Sequence, residues 1–272
     1  MAFPFFTLLI LFFFGTALGS FLNVAAARSL SGESFLFGRS RCPYCKQELC
    51  WFDLIPVFSF LFLQGRCRRC HTSLSIRYLF VELGVGFLVV LLYHAVFSGV
   101  VPTPFLALIS RYELFFFVYL VVVSAAVVVF LTDLEAQLIP TGLTRIFALV
   151  GIICLLLEGV VSHAGKASLA VFLLASLVAL FFAAIWFFTH GRGMGRGDFE
   201  LAFFLSLFLS FPYALLMVLL AFWIGAVVGI GLLLTRRYSF QSRIAFGPFL
   251  ILGFFLVLLW GRALFPLLFP LF

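Results

Sequence analysis

Apolar runs of membrane-spanning length follow one another along almost the whole chain. Only one long polar stretch, Arg28 to Arg77, interrupts them. A helix needs ~20 apolar residues to cross the hydrocarbon core. Such runs begin at Phe3 and near Tyr78, Leu114, Leu143, Ser168, Phe199, Tyr213 and Ile244, which makes eight candidate spans. The split at Ser210–Tyr213 is the weakest, because Pro212 can kink one helix as well as separate two. Only 10 % of the 272 residues are charged and 65 % are hydrophobic. A soluble domain of this size could not cover its surface with so few charges, so soluble, disordered and small disulfide-stapled classes are excluded. The runs are continuous rather than alternating, which disfavours a β-barrel. The expected fold is therefore an all-α polytopic membrane protein of about eight transmembrane helices. No internal repeat, low-complexity linker or heptad pattern is evident.

The net charge of +7 invites a nucleic-acid reading, but the placement of the charges argues for no nucleic acid partner. Lys and Arg mark cytoplasmic loops. With the N-terminus outside, eight spans place 14 of the 17 basic residues on the inner side and only Arg111, Lys166 and Arg262 outside. The partner implied is the lipid bilayer. The domains expected are a first transmembrane helix over 1–27, a cytoplasmic cysteine-rich loop over 28–77, and a membrane domain over 78–272.

The loop carries Cys42-Pro43-Tyr44-Cys45 and Cys67-Arg68-Arg69-Cys70, with 21 residues between the pairs. A C-x-x-C turn lets two thiolates reach one ion, and two such knuckles complete a tetrahedron. Nearby Arg66, Arg68 and Arg69 would favour thiolate. Four thiolates leave no open coordination position, so Zn2+ bound there is structural. Reduced or redox-active thiols and a pair of disulfides are the alternatives, the disulfides disfavoured by a cytoplasmic location. Cys50 and His71 are possible substitute ligands.

The chain has three Asp, and two of them, Asp133 and Asp198, fall at inner span boundaries. Ionisable groups at membrane depth are functional candidates by default. Two carboxylates brought close do not both ionise easily. One can then act as base toward water while the other hydrogen-bonds a scissile carbonyl, the aspartic-protease arrangement. The Gly193, Gly195 and Gly197 alternation before Asp198 suits a backbone that a substrate strand can approach. Simple helix capping by each Asp is the plain alternative. A proton-coupled transporter using the paired Asp and a non-catalytic scaffold with a zinc loop are the other readings. Glu82 and Glu158 are expected to pair or face a cavity, and Ser20 and Asn23 to join helices.

These motifs resemble, in order, those of the type IV prepilin peptidases, GxGD aspartic peptidases of the bacterial inner (cytoplasmic) membrane. The residues are Gly19-Ser20-Phe21-Leu22-Asn23-Val24 with Arg28, the C-x-x-C pairs with Trp51, Asp53, Ile55, Pro56 and Ser59 between them, and Arg77-Tyr78 with Glu82. Asp133-Leu134-Glu135-Ala136-Gln137-Leu138-Ile139-Pro140 is similar to the first catalytic motif, and Gly195-Arg196-Gly197-Asp198 to the second. The resemblance implies catalytic Asp133 and Asp198, with Gly195, Gly197, Pro140, Glu135 and Glu200 around the active-site loop. It implies prepilin and pseudopilin substrates, cut just after a Gly at the cytoplasmic face. It also implies N-methylation of the new N-terminus with S-adenosylmethionine, although no recognisable motif for that cofactor appears. The chain departs from the family pattern at Thr141, usually Asp or Asn, and at Glu200, usually Lys. If Glu200 converged on Asp198, like-charge repulsion would follow. Glu135 or Glu200 is the expected contact for a basic leader.

Overall fold

The computed structural model describes residues 4–33, 38–105, 112–163, 165–235 and 244–269. Arg111, Arg236, Arg237 and Arg243, used in the charge argument, lie outside the described residues. Among the described residues the chain is helical with only isolated bridges. Seven helices among the described residues are long and apolar enough to cross a membrane. The chain divides into two compact units, residues 1–94 and 95–272.

In the first unit, α1 (Phe5–Ser31) runs four residues past the expected end at Ala27 and stops where Gly32 turns left-handed, φ 72°. The polar stretch holds a short 3-10 turn (Trp51–Leu54) and α2 (Phe58–Phe62). It leads into α3 (Arg77–Phe97). Helices α1 and α3 meet through small residues. A Cβ on Gly15 would lie 2.8 Å from the Gly86 Cα, and one on Gly19 would lie 3.0 Å from the Glu82 Cα. In lipid, backbones approach this closely only where side chains are absent, and dispersion contact then holds the pair. Gly15-x-x-x-Gly19 is such a motif in the sequence. Ser20 hydrogen-bonds Glu82, as expected of interhelical polar contacts. Asn23 does not: its amide is buried with no hydrogen-bond partner.

In the second unit, α4 (Tyr112–Ala136) is the most enclosed of the candidate spans. It is followed by α5 (Thr141–Val161), α6 (Gly165–Phe188), α7 (Arg196–Ser206), α8 (Tyr213–Leu234) and α9 (Gly247–Leu268). Helices α8 and α9 pack most extensively, with the Gly253 Cα side against the Met217 carbonyl, and α4 lies on α9.

The expected eighth span is the point of difference. The run beginning near Phe199 forms only α7, 11 residues long. At 1.5 Å per residue that is about 16 Å, half of the ~30 Å core. Beyond it, Leu207, Phe208 and Leu209 leave the helix but are fully buried. Irregular backbone survives at such depth only where protein groups satisfy it. Here the Tyr119 hydroxyl donates to the Phe208 carbonyl at 2.7 Å, and the Ser210 amide and hydroxyl donate to the Pro102 carbonyl at 3.0 and 3.3 Å. Tyr119 and Asp133 are separated by about 21 Å of α4 rise. A short helix plus a protein-sheathed coil therefore covers most of the distance that a full helix would.

Replacing Tyr119 by Phe leaves the buried Phe208 carbonyl without its donor. We expect this to destabilise the protein by about 1–3 kcal/mol, read as a lowered unfolding midpoint in detergent. Tyr119→Phe with an unchanged midpoint would show that the coil is held by other means.

Candidate functional site

Asp133 lies in the last turn of α4 and Asp198 in the first turn of α7, and both are buried. They come from opposite ends of their helices yet share one end of the second unit. The Asp133 carboxylate is close enough to act electrostatically on that of Asp198. Asp198 sits at the third position of its helix and accepts the Gly195 amide on Oδ2 at 2.8 Å, a cap that fixes its rotamer. The plain capping alternative is thus partly right for Asp198. Capping does not account for Asp133, whose helix ends there. The Asp133 carboxylate faces the Gly247 amide at the start of α9, and its Oδ2 is buried without a hydrogen-bond partner. Both carboxylates therefore sit at helix N-termini, where the partial positive charge of free amides favours an anion.

Ile139 joins the two halves. A Cβ on Gly197 would lie 2.7 Å from the Ile139 Cβ. One on Gly247 would collide with Asp133 Oδ2 and touch Ile139 Cδ1. The second Gly of Gly195-Arg196-Gly197-Asp198 thus makes room for a side chain of the Asp133 loop. Gly195 leads into α7 with extended backbone, φ −75° and ψ 155°, and carries the capping amide. Pro140 closes the Asp133 loop as the N-cap of α5. Gly247 was not singled out in the sequence. Its signal there is Gly247-Pro248 just inside the last apolar run, a helix start with no side chain to fill the space in front.

Glu200 points away from Asp198. Arg145, one turn into α5, donates to both Glu200 carboxylate oxygens, at 2.6 and 3.1 Å. The charge acting on Asp198 is that of Asp133, and the expected repulsion from Glu200 has its physical answer in this guanidinium. Bidentate Arg–carboxylate pairs are directional as well as charged, so the pair also fixes α5 to α7. Glu135 is exposed in the last turn of α4. Nothing in the structure explains Thr141.

In the first unit, Cys42, Cys45, Cys67 and Cys70 bring all four sulfurs within 4.8 Å of one another. Cys42 and Cys70 Sγ are 3.9 Å apart, and all six cysteines are free thiols. Tetrahedral Zn–S bonds of about 2.3 Å imply sulfur separations near 3.8 Å, so this donor set can hold a metal ion. Cys50 and His71 are not in the cluster.

The two knuckles are copies. Cys42 N–H donates to the Gln47 carbonyl and Lys46 N–H to that of Cys42; Cys67 N–H donates to Thr72 and His71 N–H to Cys67. Each ends in a left-handed residue, Lys46 at φ 59° and His71 at φ 55°. Each carries one bridge, Arg41 to Glu48 and Arg66 to Ser73. Every pair is offset by 25 residues. The sequence does contain this repeat, Arg-Cys-x-x-Cys-x-x-x-Leu at Arg41 and Arg66, too short to register as periodicity along the chain. The Cys70 thiol is lowered to about 6, first by the Thr72 hydroxyl and amide and then by the Cys67 and Cys45 thiols. None of Arg66, Arg68 and Arg69 is among these causes, and Arg68 Nε donates instead to Asp53 Oδ1 at 2.8 Å.

The fold and these two constellations define a multi-pass helical membrane protein with a buried carboxylate pair and a four-thiol cluster. Residues 13–96 match the bacterial peptidase A24 N-terminal domain, and residues 120–230 match the type IV leader peptidase family. The prepilin leader peptidase/N-methyltransferase of Aeromonas hydrophila is 31% identical over 284 residues, covering 94% of this chain and 91% of its own. Its counterpart in Bacillus subtilis (strain 168) is 31% identical over 258 residues, covering 94% and 95%. That of Myxococcus xanthus (strain DK1622) is 34% identical over 228 residues, covering 82% and 62%. No solved structure matches. The chain belongs to the type IV leader peptidase family and is a membrane peptidase. Family membership favours that reading over the transporter and the scaffold.

Two outcomes follow for the site. Gly247→Ala should abolish peptidase activity in membranes while the protein still accumulates, because its methyl group displaces the Asp133 carboxylate. Arg145→Glu should impair activity through α7, and Arg145→Glu combined with Glu200→Arg should restore most of it. Equal loss in the single and double variants would contradict the role given to the pair.

Proposed function

We propose that the protein cleaves the basic leader from prepilins and pseudopilins just after Gly, using Asp133 and Asp198. The observation that carries this reading is two buried carboxylates close enough to act on one another, each set against helix N-terminal amides, with Ile139 packed between Gly197 and Gly247 beside them. One carboxylate, ionised, takes a proton from the attacking water. The other, protonated, donates to the scissile carbonyl, and the roles reverse as the amine leaves. Burial excludes bulk water and strengthens both interactions. The glycines at 195, 197 and 247 keep the backbone close around the pair, and Pro140 holds the loop that carries Ile139.

The sidedness proposed has the N-terminus outside, with the cysteine knuckles and both Asp at the cytoplasmic face of the bacterial inner membrane. The bias of Lys and Arg supports it. The basic leader docks at Glu135 or Glu200, and at Glu200 it must displace the Arg145 guanidinium. Cys42, Cys45, Cys67 and Cys70 hold Zn2+ as a structural ion that locks the two knuckles together. The chain also N-methylates the newly exposed amine, for which S-adenosylmethionine supplies the methyl group; the names of the A. hydrophila and B. subtilis relatives support this second activity.

Asp133→Asn and Asp198→Asn, each assayed with a co-expressed prepilin in membranes, should each lower processing by at least about 10²-fold. Mass spectrometry of the pilin from the unaltered enzyme reads the cleavage position and the methyl group together. Full processing by either Asn variant would overturn the assignment.

A further inference from the structure

The segment between the two cysteine knuckles, Trp51-Phe52-Asp53-Leu54-Ile55-Pro56-Val57-Phe58-Ser59-Phe60-Leu61-Phe62, has a composition unlike a cytoplasmic loop. Its single charge, Asp53, is neutralised by Arg68, whose guanidinium also lies 4.7 Å over the Phe52 ring. Its large apolar side chains face outward: Trp51 is 77% exposed and Phe62 84%, with Leu54, Ile55, Phe58 and Leu61 exposed beside them. A contiguous apolar surface of this kind is rare on a protein face that meets water.

Its contacts within the first unit place it at membrane depth. The Val57 amide donates to Glu82 Oε2 at 2.7 Å. Glu82 lies about 8 Å along α3 from Arg77. The Phe58 ring stacks on Phe13, with centroids 6.1 Å apart, and Phe13 lies about 22 Å along α1 from Arg28. Both partners belong to helices apolar enough to span a bilayer. Val57 has φ 65°, a conformation that is a genuine outlier for a β-branched residue. It is held where the buried Glu82 carboxylate captures its amide, so the turn at Pro56 and Val57 is pinned to α3 rather than loosely tethered.

We infer that residues 51–62 form a re-entrant wedge inserted into the cytoplasmic leaflet, with the lipid bilayer as its partner. Trp51 lies at the headgroup level, where indole is favoured. Phe58, Leu61 and Phe62 reach the acyl chains. Arg66 and Arg69, exposed on the second knuckle, face anionic headgroups, which attract such cations. Re-entrant backbone is permitted because Glu82 and the local turns pair its polar groups. The cysteine knuckles thus stand on the membrane surface, attached through their middle as well as through α1 and α3. This inference is independent of the peptidase assignment.

The test uses the full chain in vesicles of phosphatidylglycerol and phosphatidylcholine. With Trp186, Trp223 and Trp260 changed to Phe, Trp51 is the sole indole. Its emission should be strongly quenched by lipids brominated near the top of the acyl chain and little affected by aqueous acrylamide. In the unaltered chain, a photoactivated carbene carried on a lipid should label the 51–62 peptide, found by mass spectrometry. Efficient acrylamide quenching with no lipid label overturns the wedge in favour of a water-facing loop. Resistance to both quenchers with no lipid label overturns it in favour of a protein partner.

Discussion

In a bilayer, every backbone amide and carbonyl must find its partner inside the protein, and this structure depends on that requirement where its helices stop short. Helix α7 ends halfway, and the coil beyond it exists because Tyr119 and the Ser210–Pro102 contacts supply what water would supply elsewhere. The early start of α7 has a purpose in the geometry. It places Asp198 at a helix N-terminus beside the C-terminal end of α4, so that two acidic side chains from antiparallel directions can meet.

That meeting is steric as much as electrostatic. Bringing two carboxylates together in a buried site is unfavourable, and the contacts around them must be firm enough to hold it. Ile139 wedged between Gly197 and Gly247 is one such contact. The Arg145–Glu200 pair is another, tying α5 to α7 just outside the site. The Glu at position 200 is therefore half of an ion pair in which Arg145 carries the positive charge. In the first unit, the paired knuckles do comparable work: eight residues fold each Cys-x-x-Cys turn so that four sulfurs converge before any ion is considered.

Much of this was legible in the sequence, for identifiable reasons. Long apolar runs report spans because the bilayer imposes their length, and Asp133 and Asp198 stood out because charge is so scarce in this chain. The cysteine quartet was legible because metal-ligand spacing is local. What escaped was non-local or short. Gly247 lies far along the chain from Asp133, and no spacing rule links them. Arg145 counted as one more inner-face cation until its partner on α7 was visible. The half-length of α7 was hidden because Leu207–Ser210 is as apolar as any helix, and only tertiary hydrogen bonds reveal that it is not one. The knuckle repeat was visible in nine residues but is too brief for a periodicity search.

The convergence of the Asp133 loop on the start of α7 is the claim on which the rest stands. It is tested most directly by placing Ile139→Cys and Gly197→Cys in one chain, oxidising it mildly in membranes, and mapping the digested peptides by mass spectrometry. A disulfide holds its two Cβ atoms about 3.5–4.5 Å apart, so the 2.7 Å between these positions needs a backbone shift of only about 1 Å to accept one. The structure predicts a linked pair of peptides containing positions 139 and 197. Recovery of both engineered thiols as separately alkylated peptides, with neither linked to the other, would contradict it.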